Sequence, residues 1–83
     1  MNPIDSVIRE RRRQTSIWGV QNHDPSKWLA ILVEEVGEVA QEINDMDTLY
    51  HGSEERYRTE LIQVAAVAVA AIESIERTYE ENV

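Results

Sequence analysis

Two short segments of the chain carry acidic and amide side chains at spacings that suit a shared metal ion. The first holds Glu34, Glu35 and Glu38, and after the gap 39–59 the second holds Glu60 and Gln63. On a helix, side chains three or four positions apart project to the same side. Their oxygens are ligands that suit Mg²⁺ or Mn²⁺, and a cation would offset the repulsion between neighbouring acids. The spacing predicts an oxygen-rich divalent site between two helices, and by itself it names no reaction.

A solvated helix face is the alternative interpretation of these acids, because the chain has 16 acidic residues. The surroundings favour a site. Trp28 and Ile31 lie toward the helix side that carries Glu35, Glu38 and Glu42. Glu60 opens the most apolar run of the chain. A helix side that faced only solvent would not need those apolar residues.

Capping signals predict three helices. Asn2-Pro3 and Asp24-Pro25 each pair an N-cap residue with a proline at the first helical position, and Ser53 is the third N-cap. We expect helices over 3–15, 25–44 and 53–79, a loop over 16–23 and a connector over 44–52. No segment alternates between polar and apolar residues over a useful length. The predicted fold class is all-α, with one domain over residues 1–83 that forms a small helical bundle.

The apolar residues predict that this bundle is completed by further copies of the chain. Nine residues from Val64 to Ile72 include no polar side chain, which is more apolar surface than two short neighbouring helices can cover. The alanines of this run allow close helix approach. We therefore expect a homo-oligomer, at least a dimer. On the second helix we predict a core stripe made of Leu29, Leu32, Val33, Val36, Ala40 and Ile43.

Composition excludes several classes of protein. The chain has no cysteine, which excludes disulfide scaffolds, zinc–thiolate sites and thiol catalysis. The net charge of −8 argues against general nucleic-acid binding. The run 61–72 is too short to span a bilayer as a helix, and the N-terminus has no secretory pattern. We expect a cytoplasmic protein with no membrane partner.

One basic cluster stands out in this acidic chain: Arg9, Arg11, Arg12 and Arg13. It can be a solvated helix face, or it can pair with the acids of another subunit. Contact with phosphate is the other interpretation. An acidic protein can still bind a polyphosphate if metal ions bridge the two sets of negative charge.

Taken in order, the acidic segments resemble the EExxE…ExxD pattern of the MazG-like, all-α nucleoside triphosphate pyrophosphohydrolases. They read Glu34-Glu35-Val36-Gly37-Glu38 and Glu60-Leu61-Ile62-Gln63. Segments 18–23, 28–32 and 56–67 look like the compact, single-domain members, so the resemblance covers roughly residues 7–76. It implies Mg²⁺-dependent hydrolysis of an NTP or dNTP between the α and β phosphates, releasing NMP and pyrophosphate. It also implies nucleotide-pool housecleaning by a dimer or a dimer of dimers.

The resemblance assigns roles to the acidic positions. Glu35, Glu38 and Glu60 become metal ligands, and Glu34 becomes a further ligand or the base that orients the attacking water. Gln63 stands where the pattern has Asp. Its amide oxygen can still bind a metal, but it adds no charge, which bears on the affinity and number of metal ions more than on the fold.

Four further residues are candidates for substrate binding. His23 looks like the position that helps to hold the base in related nucleotide hydrolases, and Trp18 could stack on a base. Lys27 and Arg58 could each contact a phosphate. The alternatives are a surface histidine, a tryptophan that anchors a helix end, and two solvated cations.

Two other functions compete with the pyrophosphohydrolase prediction. The same kind of helical metal site serves the hydrolysis of other phosphorylated metabolites. A helical assembly module without catalysis is the alternative from another class, since Gln63 replaces an acid of the pattern.

Overall fold

The computed structural model of the protein describes residues 2–46 and 53–81, without the side chains of Glu80 and Glu81. Within these residues the chain forms three helices and no strand: α1 Pro3–Trp18, α2 Pro25–Asn44 and α3 Glu54–Glu81. The predicted all-α class with three helices is confirmed. Most of the predicted connector, residues 47–52, lies outside the described residues.

The three predicted N-caps are present, and each cap side chain accepts one backbone N–H of the first helical turn. Asn2 accepts from Asp5 at 2.9 Å and Asp24 accepts from Lys27 at 2.9 Å. The third cap, Ser53, accepts from the backbone N–H of Arg56 at 3.0 Å. These bonds explain why the starts of the helices could be predicted closely.

The end of α1 was predicted wrongly. The helix continues three residues past Thr15 to Trp18, so Ser16 is helical and the loop begins at Gly19. Gly19 has φ +73°, and its backbone N–H donates to the carbonyl of Thr15 at 2.8 Å. Glycine accepts this left-handed conformation without steric cost, and it is the first residue that stops the helix.

Helix α3 lies at the centre of the molecule, because α1 and α2 both pack on α3 and not on each other. Helix α2 runs antiparallel to α3. At one end the α2 residue Trp28 packs in a cluster with Val67 of α3, and at the other end Glu42 accepts a hydrogen bond from Arg56. Helix α1 runs in the same direction as α3 and leaves a groove between itself and α2.

The core of this chain is small. Among the described residues the buried hydrophobic side chains are Trp28, Ala66, Val67 and Ala70, and Ile31, Leu32 and Ala71 pack in part against the cluster of Trp28, Val67 and Ala70. The predicted core stripe of α2 is therefore wrong for the single chain, apart from Leu32. The exposed fraction is 60% for Leu29, 60% for Val33, 50% for Val36 and 41% for Ile43. The side predicted to lie off the core, with Trp28 and Ile31, is the side that packs on α3.

Assembly with further copies stays a prediction. Among the described residues, no helix has both the length and the apolar character that crossing a membrane requires.

Candidate metal centre

Three of the predicted ligands lie together between α2 and α3. Glu35 and Glu38 are one turn apart on α2, and Glu60 faces them from α3. Each carboxylate offers an oxygen, and these oxygens lie within 4.8 Å of one another. Carboxylate oxygens at this separation can converge on a single divalent cation. The three acids thus form the candidate site, called the Glu35–Glu38–Glu60 cluster below.

The antiparallel packing of α2 and α3 brings these positions together. The core contact between Trp28 and Val67 fixes the helix pair on one side of the cluster. On the other side, Arg56 Nε donates to Glu42 Oε2 at 3.2 Å and forms an ion pair. Because both contacts belong to the same helix pair, the cluster is held by secondary structure and not by a loop.

Burial makes the charged state of this cluster costly. Glu35 Oε2 and Glu60 Oε2 are buried and have no hydrogen-bond partner. Burial, followed by the charges of Glu38 and Glu60, raises the pKa of Glu35 to about 7. Burial also raises the pKa of Glu60, together with a hydrogen bond to Glu38 and the charge of Glu38. A bound cation would favour the ionised carboxylates and so offset the cost of their burial.

Two more acids border the cluster. Glu34 is exposed, and its charge is a minor cause, after burial, of the raised pKa of Glu35. Glu42 lies one turn beyond Glu38 and adds to the raised pKa of Glu60, for which burial is the main cause. Sequence reasoning did not predict Glu42 as part of the site. Its spacing of four residues from Glu38 was the available signal.

Gln63, the fourth predicted ligand, is bonded to α1. Its Oε1 accepts a hydrogen bond from Nε2 of the buried Gln14 at 3.2 Å. The same Gln14 nitrogen lies 3.2 Å from Glu10 Oε2, and Gln14 Oε1 accepts from Arg11 at 2.9 Å. The structure thus directs the oxygen of Gln63 to α1, and Gln63 is not among the three residues that come together in the cluster. Sequence reasoning missed Gln14, because a glutamine amid arginines gives no periodic signal.

A groove of about 210 Å³ adjoins the cluster and shares Glu35 with it. The indole ring of Trp28 and the exposed ring of Trp18 line this groove, together with Gln21 and Gln63. Trp28 is 6% exposed, and its Nε1–H has no hydrogen-bond partner. Buried donors without partners are uncommon in folded proteins, so this unpartnered N–H is a notable feature of the groove lining. We call this space the Trp28 groove.

His23 and Trp18 contact other residues of the helix ends. The imidazole of His23 lies 4.9 Å from the Trp28 ring, centroid to centroid, at an angle of 59°. His23 itself lines a different surface depression, with Ser74 and Tyr79. The guanidinium of Arg13 lies 5.9 Å from the centre of the Trp18 ring. Of the two predicted base-binding residues, Trp18 lines the Trp28 groove, whereas His23 does not line it and contacts the ring of Trp28.

The two predicted phosphate-binding cations lie apart from each other. Lys27 is an exposed residue in the first turn of α2. Arg58 faces α1, where its Nη2 donates to Ser6 Oγ at 2.9 Å. Arg58 therefore lines a groove between α1 and α3 with Arg9 and Arg13, and not the Trp28 groove.

No model of a known protein family matches the chain, and no characterised protein or solved structure matches it either. The pyrophosphohydrolase interpretation of the acidic segments therefore stays a prediction. The geometry by itself brings three carboxylates, a donor set that suits a divalent cation, beside a groove lined by two tryptophans.

Proposed function

We propose that this chain is a small Mg²⁺-dependent nucleoside triphosphate pyrophosphohydrolase, which hydrolyses an NTP or dNTP to the monophosphate and pyrophosphate. The observation that carries the proposal is the Glu35–Glu38–Glu60 cluster, whose oxygens lie within 4.8 Å of one another beside the Trp28 groove. The resemblance of the two acidic segments to MazG-like enzymes supplies the reaction.

The donor set supports a hard divalent cation. All three ligands are carboxylates, and two of them, Glu35 and Glu60, have a buried oxygen without a partner. When bound, Mg²⁺ or Mn²⁺ would supply positive charge to the phosphate oxygens and lower the pKa of water. Glu35, Glu38 and Glu60 hold the ion in this proposal. Glu34, exposed beside Glu35, then accepts the proton of the attacking water or adds a ligand.

The Trp28 groove supports a nucleoside as the rest of the substrate. Glu35 belongs both to the cluster and to the lining of the groove, so phosphates at the cluster place the attached nucleoside toward the groove. The free Nε1–H of Trp28 can donate to a base acceptor, and the amide of Gln21 can both donate and accept. The ring of Trp18 offers a stacking surface.

Self-association is part of the proposal. The open side of α2 carries Leu29, Val33, Val36 and Ile43, and each has at least 41% of its surface exposed. Large exposed apolar patches mark protein interfaces more often than solvated surfaces. A second copy that covers this side of α2 would complete the small core, and it would leave the opposite side, with Glu35 and Glu38, on α3.

Product analysis tests the proposed reaction. The protein is incubated with Mg²⁺ and a panel of NTPs and dNTPs, along with nucleoside diphosphates and sugar phosphates, and the products are identified by ³¹P NMR. We expect equal amounts of monophosphate and pyrophosphate from at least one triphosphate, and no orthophosphate. Release of orthophosphate from a sugar phosphate or a diphosphate, without pyrophosphate from any triphosphate, would indicate hydrolysis of another phosphorylated metabolite. No turnover of any compound would favour an assembly module.

A further inference from the structure

Three arginines converge on one open groove in a chain that has 16 acidic residues and 8 lysines and arginines. Arg9 and Arg13 of α1 line it on one side, and Arg58 of α3 lines it on the other. Two hydroxyl residues, Ser6 and Thr59, complete much of the polar lining. The groove has a volume of about 640 Å³, which is within the range of small-molecule sites. We call it the arginine groove.

Two of the three guanidinium charges have no counter-ion within the groove. Arg13 is neutralised, since its Nε and Nη2 donate to the two carboxylate oxygens of Glu10, each at 2.8 Å. Arg58 donates to the neutral hydroxyl of Ser6. Arg9 makes no hydrogen bond or ion pair within the described part of the chain. Three arginines and one glutamate, Glu10, are the charged residues that line the groove, so its lining has a net charge of about +2.

The guanidinium of Arg58 is held in place before any ligand arrives. Its hydrogen-bond acceptor Ser6 is 8% exposed, so the bond of 2.9 Å is anchored on a buried residue. The remaining N–H groups of Arg58 stay available, and Arg9 contributes its full set. Guanidinium groups bind phosphate through paired N–H donors, and a positioned guanidinium loses less entropy on binding.

We propose that the arginine groove is a separate site for small polyphosphate anions, of which pyrophosphate is the simplest. Two guanidinium groups without an ion pair in the groove match two linked phosphates, whose negative charge is spread over both, better than they match a single phosphate. None of Glu35, Glu38 and Glu60 lines the groove. Binding therefore requires no metal ion, and the proposal stands on the arginine groove alone, whatever reaction the acidic cluster performs.

The test is a titration of the protein with inorganic pyrophosphate, in EDTA at low salt, in which binding is measured by isothermal titration calorimetry. We expect saturable binding that weakens with added KCl and that is weaker for orthophosphate. Arg9→Gln should weaken binding by about tenfold, since one charge-assisted contact is lost. Arg9 has no partner whose loss could unfold the chain, so its variant separates binding from folding. Arg58→Gln should act in the same direction.

Two controls make the test specific. Arg77→Gln changes an arginine that donates to Asn22 and to the carbonyl of Gln21, outside the groove, and it should leave binding unchanged. Glu38→Gln should also leave metal-free binding unchanged. The proposal is overturned if wild type does not bind, if Arg77→Gln weakens binding as much as Arg9→Gln does, or if the Arg9→Gln variant binds as wild type does.

Discussion

Gln63 of α3 accepts a hydrogen bond from Gln14 of α1 at 3.2 Å, and only 8% of the surface of Gln14 is exposed. The contact joins the first and third helices. It is made by the residue at which this sequence differs from the MazG-like pattern, with Gln63 in place of Asp. An amide can make this contact as an acceptor beside Glu10, whereas a carboxylate there would add repulsion. The departure from the pattern thus has a structural counterpart in α1.

The first prediction separates the charge of residue 63 from its shape. Gln63→Asp and Gln63→Asn both shorten the side chain and lose the Gln14 contact, which should lower the free energy of unfolding by about 1 kcal/mol. Only Gln63→Asp adds a negative charge near the cluster. It should need less Mg²⁺ for half-maximal activity, by about fivefold, and it should be less stable than Gln63→Asn without metal. Equal Mg²⁺ titrations for the two variants would place residue 63 outside the metal shell.

The second prediction concerns the pH dependence of the metal-free protein. Burial, with the charges of Glu38 and Glu60, raises the pKa of Glu35 from its ordinary value of 4.5 to about 7. Between these values the folded protein holds more protons than the unfolded chain, so its free energy of unfolding falls as pH rises. The contribution of Glu35 is therefore complete below pH 4.5 and lost above pH 7.

Thermal melts between pH 4.5 and pH 8 in EDTA measure this effect. The Glu35→Gln variant has no group to ionise at this position, so the difference between its melting temperature and that of wild type should widen as pH rises, in favour of the variant. Addition of Mg²⁺ at pH 8 should stabilise wild type more than Glu35→Gln. Parallel curves for the two proteins would show that the environment of Glu35 does not disfavour its charge.

The third prediction uses the unpartnered N–H of Trp28. Trp28→Phe keeps an aromatic ring in the core and removes the donor. If that donor binds the base, KM for the preferred nucleotide should rise by about tenfold with little change in kcat. The reason is that the lost hydrogen bond would stabilise the bound substrate and the transition state equally. Removal of an unsatisfied buried donor should partly offset the lost packing in a thermal melt. An unchanged KM would exclude Trp28 from base binding.

The fourth prediction concerns assembly through the open side of α2. Sedimentation should show a dimer or larger species at micromolar concentration, with no compact, cooperatively folded monomer, because assembly buries apolar surface that the single chain leaves exposed. Val33→Glu places a charge at a position that is 60% exposed in the single chain, and it should dissociate the oligomer. Val20→Glu is the matched control, since Val20 is 65% exposed in the loop before α2. A folded wild-type monomer would contradict the prediction.

The sequence predicted the helices well because their starts depend on local bonds. Asn2, Asp24 and Ser53 each make the capping bond expected from residue type alone. The end of α1 was predicted too early because Thr15 and Ser16 are weak helix formers, whereas the helix stops only at Gly19. The predicted core of α2 failed for a different reason. Its apolar residues lie on two sides of the helix, and periodicity cannot tell which side packs on α3.

The candidate site was predictable in part. The spacing predicted an acidic site between two helices, the resemblance selected Glu35, Glu38 and Glu60 as ligands, and the structure places these three together. The partner of Gln63 and the position of Arg58 were not predictable. Both depend on how α1 lies along α3, and that packing involves contacts between residues about 50 positions apart.

Pyrophosphate release by wild type and by Glu38→Gln, in Mg²⁺ with the preferred nucleotide, tests the central claim most directly. Glu38 is exposed but belongs to the cluster, so its replacement should leave helix content by circular dichroism intact and reduce turnover by at least about a hundredfold. Glu76→Gln, on an exposed part of α3 away from the cluster, should keep wild-type turnover. Full pyrophosphate release by a folded Glu38→Gln variant would contradict the account, because the cluster would then not be the catalytic metal site.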